Sequence, residues 1–92
     1  MALRWPDKFP GETILNGVDW TKVLGAATIA SCAATVEDGD ATVDDPVGPS
    51  FTGAVQKIWV AGGAVGSQRV RAEVTLSDGR VLQEDCIFAV LP

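Results

Sequence analysis

Ninety-two residues are enough for one domain that buries roughly 60–70% of the surface of its unfolded chain. With 47% hydrophobic residues the chain is no disordered tail, and a net charge of -5 with a pI near 4.4 argues against nucleic acid or an anionic membrane as partner. Histidine and tyrosine are absent, which removes the commonest general base, the commonest transition-metal ligand and the usual partner of a Ser or Cys nucleophile. The expectation is a non-enzymatic domain without cofactor or metal. Met1 to Glu12 lacks the apolar core of a signal peptide, and no apolar run reaches the ~18 residues of a membrane span. Synthesis and folding in a cytoplasm are therefore expected.

In chain order, Met1 to Gly11 carries two prolines and no period, so it reads as an extended arm ahead of a single domain from residue 12 to residue 92. Trp5 in that arm either plugs the domain's own core or anchors a neighbouring subunit; the first is the commoner use of an aromatic in a short arm. Glu12 to Trp20 reads as a strand with Ile14, Val18 and Trp20 on one side, interrupted by a bulge or kink at Asn16-Gly17. Thr21 to Gly25 turns the chain, with room for a single helical turn ended by Gly25. Ala26 to Val36 is rich in alanine, which favours helix, but Thr28, Ile29, Thr35 and Val36 are β-branched and a turn cluster follows; it reads as strand.

Glu37 to Asp40 is a turn, Ala41 to Val43 a short strand, and Asp44 to Pro49 a loop with two prolines. Glu37, Asp38, Asp40, Asp44 and Asp45 form the one acidic constellation. Oxygen ligands at this density suit Ca²⁺, but the spacing does not match the twelve-residue calcium loop, and two solvated acidic turns are the plainer reading. Phe51 and Val55 bracket a weak strand or irregular edge.

Gln56 to Leu91 has the strongest pattern, three strands joined by two tight turns. In Lys57 to Ala61, Trp59 is expected in the core. From Gln68 to Ser77, Val70, Ala72, Val74 and Leu76 alternate with Arg69, Arg71, Glu73 and Thr75, the two-residue period of a strand with one buried face. Asp78-Gly79 then signals a hairpin in which both turn residues take positive φ. The return strand places Leu82, Cys86, Phe88 and Val90 on one face, with Glu84 in that row. Cys32 and Cys86 read as buried free thiols, since nothing in the sequence points to an oxidising compartment. Six to seven short strands with frequent turns favour an antiparallel, immunoglobulin-like β-sandwich, with a small barrel as the alternative.

Three elements in order carry a resemblance: Asp19-Trp20-Thr21 with Leu24-Gly25 and Ala27-Thr28-Ile29-Ala30-Ser31; Trp59-Val60-Ala61-Gly62-Gly63 with Gly66; and the Val70 to Gly79 strand and turn with Arg80 after it. The ordered set is similar to a family of small tailed-bacteriophage fiber–tail adaptor proteins. The resemblance spans Asp19 to about Val90. It departs where Ala34 stands in place of an aromatic and where an acidic, Pro-rich loop lies between Asp40 and Phe51. What it implies is a virion structural protein in the phage tail, assembled in the bacterial cytoplasm. Such a protein joins a tail or baseplate element to a receptor-binding fiber, with other tail or fiber proteins, and potentially further copies of itself, as partners. The arm and the segment from Glu37 to Pro49 are the expected contact regions, with Trp5, Asp40, Asp44 and Asp45 as candidate docking residues. A carbohydrate-binding or adhesion-type sandwich is the competing class; it would need at least two of the three tryptophans coplanar on the surface.

Overall fold

A computed structural model describes residues 3–45 and 47–92. Met1 and Ala2 of the expected arm, and Pro46 of the expected loop, lie outside the described residues. The described residues are 60% strand and 4% helix, folded as two sheets packed face to face. The elements are β1 (Leu3–Arg4), β2 (Thr13–Asp19), α1 (Thr21–Leu24), β3 (Ile29–Asp38), β4 (Thr42–Val43), β5 (Ser50–Thr52), β6 (Val55–Ala61), β7 (Gly66–Leu76) and β8 (Val81–Val90). One sheet runs β1-β8-β7-β3; the other runs β2-β6-β4, with β5 also on β6. The expected sandwich is what the chain forms.

The core lies between the sheets, and the period of two decides who enters it. Val70, Ala72, Val74 and Leu76 of β7 meet Cys86, Phe88 and Val90 of β8 on one inner face. Val18, Ile58 and Val60 come from the other. The β7–β8 turn differs from the expected one. Gly79 takes φ 92° while Asp78 keeps an ordinary negative φ, and Gly79 N–H donates to Leu76 O at 3.0 Å. This is a type I turn closed by a glycine bulge, so one residue, not two, needs the left-handed region.

Two more expectations are corrected. Asn16-Gly17 makes no bulge: β2 stays in unbroken antiparallel register on β6 from Thr13↔Ala61 to Asp19↔Val55. Trp59 is not a core residue. Gln56, Ile58 and Val60 are the buried members of β6, which sends Lys57 and Trp59 to the outer face, where Trp59 is half-buried opposite Leu15.

The arm is extended and joined to the sheet. Leu3 and Arg4 pair in parallel with Cys86 and Ile87, Trp5 N–H donates to Ile87 O, and Lys8 N–H donates to Ala89 O. Leu91 N–H returns a bond to Lys8 O at 2.8 Å.

Candidate functional site

The arm brings two side chains into the interior. Trp5 is 3% exposed; its ring lies 6.1 Å from that of Phe88, and its indole N–H donates to Gly17 O at 3.2 Å. The structure therefore packs Trp5 against its own domain and leaves it no surface for a partner. Lys8 is 1% exposed, yet no carboxylate neutralises it among the described ion pairs. Its ammonium donates to Phe9 O at 2.8 Å and to Gly62 O at 2.6 Å, which clamps the arm to the Gly62-Gly63 turn. A buried ammonium is costly unless such acceptors replace water. Sequence reasoning passed over Lys8, because lysine in an arm reads as solvated.

The acidic segment does not converge on one point. Among the described residues no group of three or more His, Cys, Asp or Glu side chains is placed to hold a metal ion. Asp40 serves the fold: its carboxylate accepts from Ala64 N–H at 2.7 Å, while buried Gln68 accepts from the Asp40 and Ala41 amides and donates to Ala64 O. Gly39 is obligatory in this knot, since it has φ 107° and a Cβ there would lie 1.9 Å from Gln68 Oε1. Gln68 is a second functional support that the sequence pattern hid; it occupies an inward position of β7 where an apolar residue is the usual choice.

Asp44 is strained twice. It has φ 55°, the one described non-glycine residue with positive φ, and both carboxylate oxygens are buried without a hydrogen-bond partner among the described residues. Burial pushes its carboxyl above the usual carboxylate range, against a smaller opposing effect of the nearby Trp59 backbone N–H. Asp45 is exposed. Asp40 is exposed too, but its carboxylate is taken by Ala64 N–H, so of the four candidate docking residues Asp45 alone is exposed without a hydrogen-bond partner among the described residues.

The thiols are free, Cys32 half-buried and Cys86 buried. Burial raises both, with Asp44 adding to the effect at Cys32 and Glu84 and Asp85 at Cys86, which is pushed up to about 12. Neither has the electropositive surroundings of a reactive cysteine.

The outer faces differ in kind. Sheet β1-β8-β7-β3 is charged outside: Arg71 lies 3.2 Å from Asp85 and 3.7 Å from Glu37, and Gln83 donates to Glu73 at 2.8 Å. The opposite sheet shows Leu15, 45% exposed, beside Trp59. Trp5 and Trp20 are buried, Trp20 donating to Gln56 Oε1 at 3.1 Å, so no pair of tryptophans forms a sugar platform. At the α1 end a groove of about 310 Å³ is lined by Leu3, Trp20, Val23 and Glu84 among others.

These features define a two-sheet β-sandwich whose buried polar side chains Lys8, Gln56 and Gln68 are bonded within the fold. The chain belongs to the podophage GP4 fiber-tail adaptor protein gp77 family, whose model matches residues 8–89. This is a family of phage structural proteins. No individual curated protein matches the chain. The matched span begins at Lys8, so it contains the ammonium clamp and both sheets beyond β1 except the last residue of β8.

Proposed function

We propose that this chain is a non-enzymatic component of the phage tail that links a tail or baseplate element to a receptor-binding fiber. The family match over residues 8–89 carries the reading. The arrangement of the chain supports it: the arm is locked down by Trp5 and Lys8, the sandwich is rigid, and the surface is left for contacts. Tail and fiber proteins are the partners, and several copies in a symmetric particle turn weak docking into firm attachment through effective concentration. Within the segment from Glu37 to Pro49, Asp45 is the residue in contact with a partner, while the Asp40 carboxylate on Ala64 N–H and the Asp44 N–H on Trp59 O hold the chain that presents it. Assembly takes place in the bacterial cytoplasm.

Mass spectrometry of purified phage particles tests this. Peptides of the chain are expected at a fixed ratio to tail proteins. Their absence from particles, with the protein abundant in the lysate, would sink the proposal.

A further inference from the structure

Backbone geometry identifies which sheet edge is open. The β7–β8 hairpin closes with Leu76 N–H on Arg80 O at 2.8 Å. Backbone groups of an antiparallel strand alternate between its two sides. The even-numbered residues from Gln68 to Leu76 therefore aim their N–H and C=O groups at β8, and Arg69, Arg71, Glu73 and Thr75 aim theirs at β3. Their partners Ser31, Ala33 and Thr35 face β7, by the register Ser31↔Thr75, Ala33↔Glu73 and Thr35↔Arg71. Cys32, Ala34 and Val36 are left with backbone groups pointing out of the sheet. Among the described residues β3 pairs with β7 alone, and no loop bonds to the backbone of these three.

The other edges are shorter, split or interrupted. β1 has two residues and is followed at once by Trp5-Pro6. The same alternation, read from Trp20 N–H on Ala54 O, turns Gly17 outward on β2, and there the Trp5 indole occupies its carbonyl. The far edge of β6 is split between β4 and β5. On β3, register shifts between Ile29 and Ser31 and between Val36 and Asp38 bound a flat stretch that has no proline, lysine or other charge, the devices that usually block strand addition. Its outward-facing side chains, Ser31, Ala33 and Thr35, are small and exposed. Asp38, at the C-terminal end of β3, is exposed and makes no ion pair among the described residues.

We propose that the Ser31–Val36 edge of β3 receives an extended segment of a partner polypeptide as an added strand, with a basic residue of that segment set against Asp38. A second copy of this chain is the poorer occupant, because each copy carries a net charge of -5 and self-pairing brings like-charged loops together. The inference rests on the adaptor reading and supplies its docking surface by β-augmentation.

Amide hydrogen exchange on the free chain comes first. The Cys32, Ala34 and Val36 amides are expected to exchange fast and those of Ser31, Ala33 and Thr35 slowly; protection of the first set would overturn the proposal. Incorporation into particles comes second. Ala34→Pro removes an outward donor and leaves the β7 ladder intact, so it should leave melting nearly unchanged and lower incorporation at least tenfold. Asp38→Lys should lower it severalfold, and unchanged incorporation would overturn the charge pairing. If Ala34→Pro does not fold, Ala33→Lys, which sets a charge on the exposed face of the same edge, replaces it with the same expectation. Wild type in particles with a folded edge variant incorporated equally would overturn the edge while leaving the adaptor reading standing; wild type missing from particles would sink both. A concentration-dependent dimer of the free chain, abolished by Ala34→Pro, would assign the edge to a second copy and overturn the partner strand.

Discussion

The two flanks of the sandwich are closed in opposite ways. On the arm flank, β1 extends the sheet, the Trp5 indole takes the Gly17 carbonyl, and Lys8 ties the arm to the Gly62-Gly63 turn. On the β3 flank the donor that arrives is Gln56, which donates to Ala33 O at 2.9 Å from inside the sandwich and itself accepts from Trp20. That bond reaches a carbonyl already turned toward β7 and leaves the outward groups of Cys32, Ala34 and Val36 unclaimed. Asp44, whose charge also acts on Cys32, sits on the same flank with its oxygens unpaired. On the β3 flank the unspent backbone groups thus run unbroken through Cys32, Ala34 and Val36, whereas on the arm flank the Trp5 indole interrupts the β2 edge at Gly17, and the uninterrupted edge is the one we assign to a partner.

The largest expected effect breaks the sealed flank. Trp5→Ala removes a ring buried against Phe88 and frees the Gly17 carbonyl, and should cost about 4 kcal/mol. Urea denaturation measures it; a loss under about 1 kcal/mol would mean the arm is an appendage. Lys8→Met comes next. The side chain keeps its bulk, but Phe9 O and Gly62 O lose their donor, a change worth about 2 kcal/mol.

Much of this contrast was legible before folding was considered, and part was not. Alternation from Val70 to Leu76 and the Asp-Gly turn exposed the central hairpin, because one face of those strands is uniformly apolar. A place in a strand before a turn suggests a core position for Trp59, but parity governs a strand: with Ile58 and Val60 inside, residue 59 must face out. Gln56 and Gln68 obscured that parity, as polar residues at inward positions that repay their burial through hydrogen bonds to loops and backbone. Lys8 broke composition rules outright, since its acceptors are carbonyls 1 and 54 residues away that no local pattern reveals. Of the docking candidates, Asp40 and Asp45 are exposed, Asp44 is half-buried, and Trp5 is the core plug that is the commoner use of an aromatic in an arm.

The open flank gives the first stabilising prediction. Asp44→Asn should raise stability by about 1 kcal/mol at neutral pH, a figure already discounted for a side chain that is only half-buried. It removes a charge that finds no donor, and Asn tolerates positive φ. The sign follows from linkage. The folded carboxyl titrates above its unfolded value, so between the two the native state holds more protons, and stability falls as pH rises through that window. The advantage of Asn should therefore shrink as the pH is lowered toward the unfolded value. Melting curves of both proteins from acid to neutral pH would show it, and a constant difference would contradict the assignment.

The smallest effect in energy distinguishes the flanks most directly. Cys86 lies on β8 where Leu3 of the arm pairs with it, and Cys32 lies on the open strand. A maleimide at pH 8 should modify Cys32 in the folded protein and leave Cys86 intact, since a thiol pushed to about 12 holds roughly one thiolate in ten thousand at that pH and is enclosed as well. Asp44→Asn should speed the Cys32 reaction, because the carboxylate contributes to raising that thiol. Trp5→Ala acts on the other side, loosening the arm and admitting reagent to Cys86 without changing Cys32. If Cys86 labelled as fast as Cys32 in the wild-type protein, the arm would not be sealing its flank, and the asymmetry that leaves β3 as the docking edge would disappear with it.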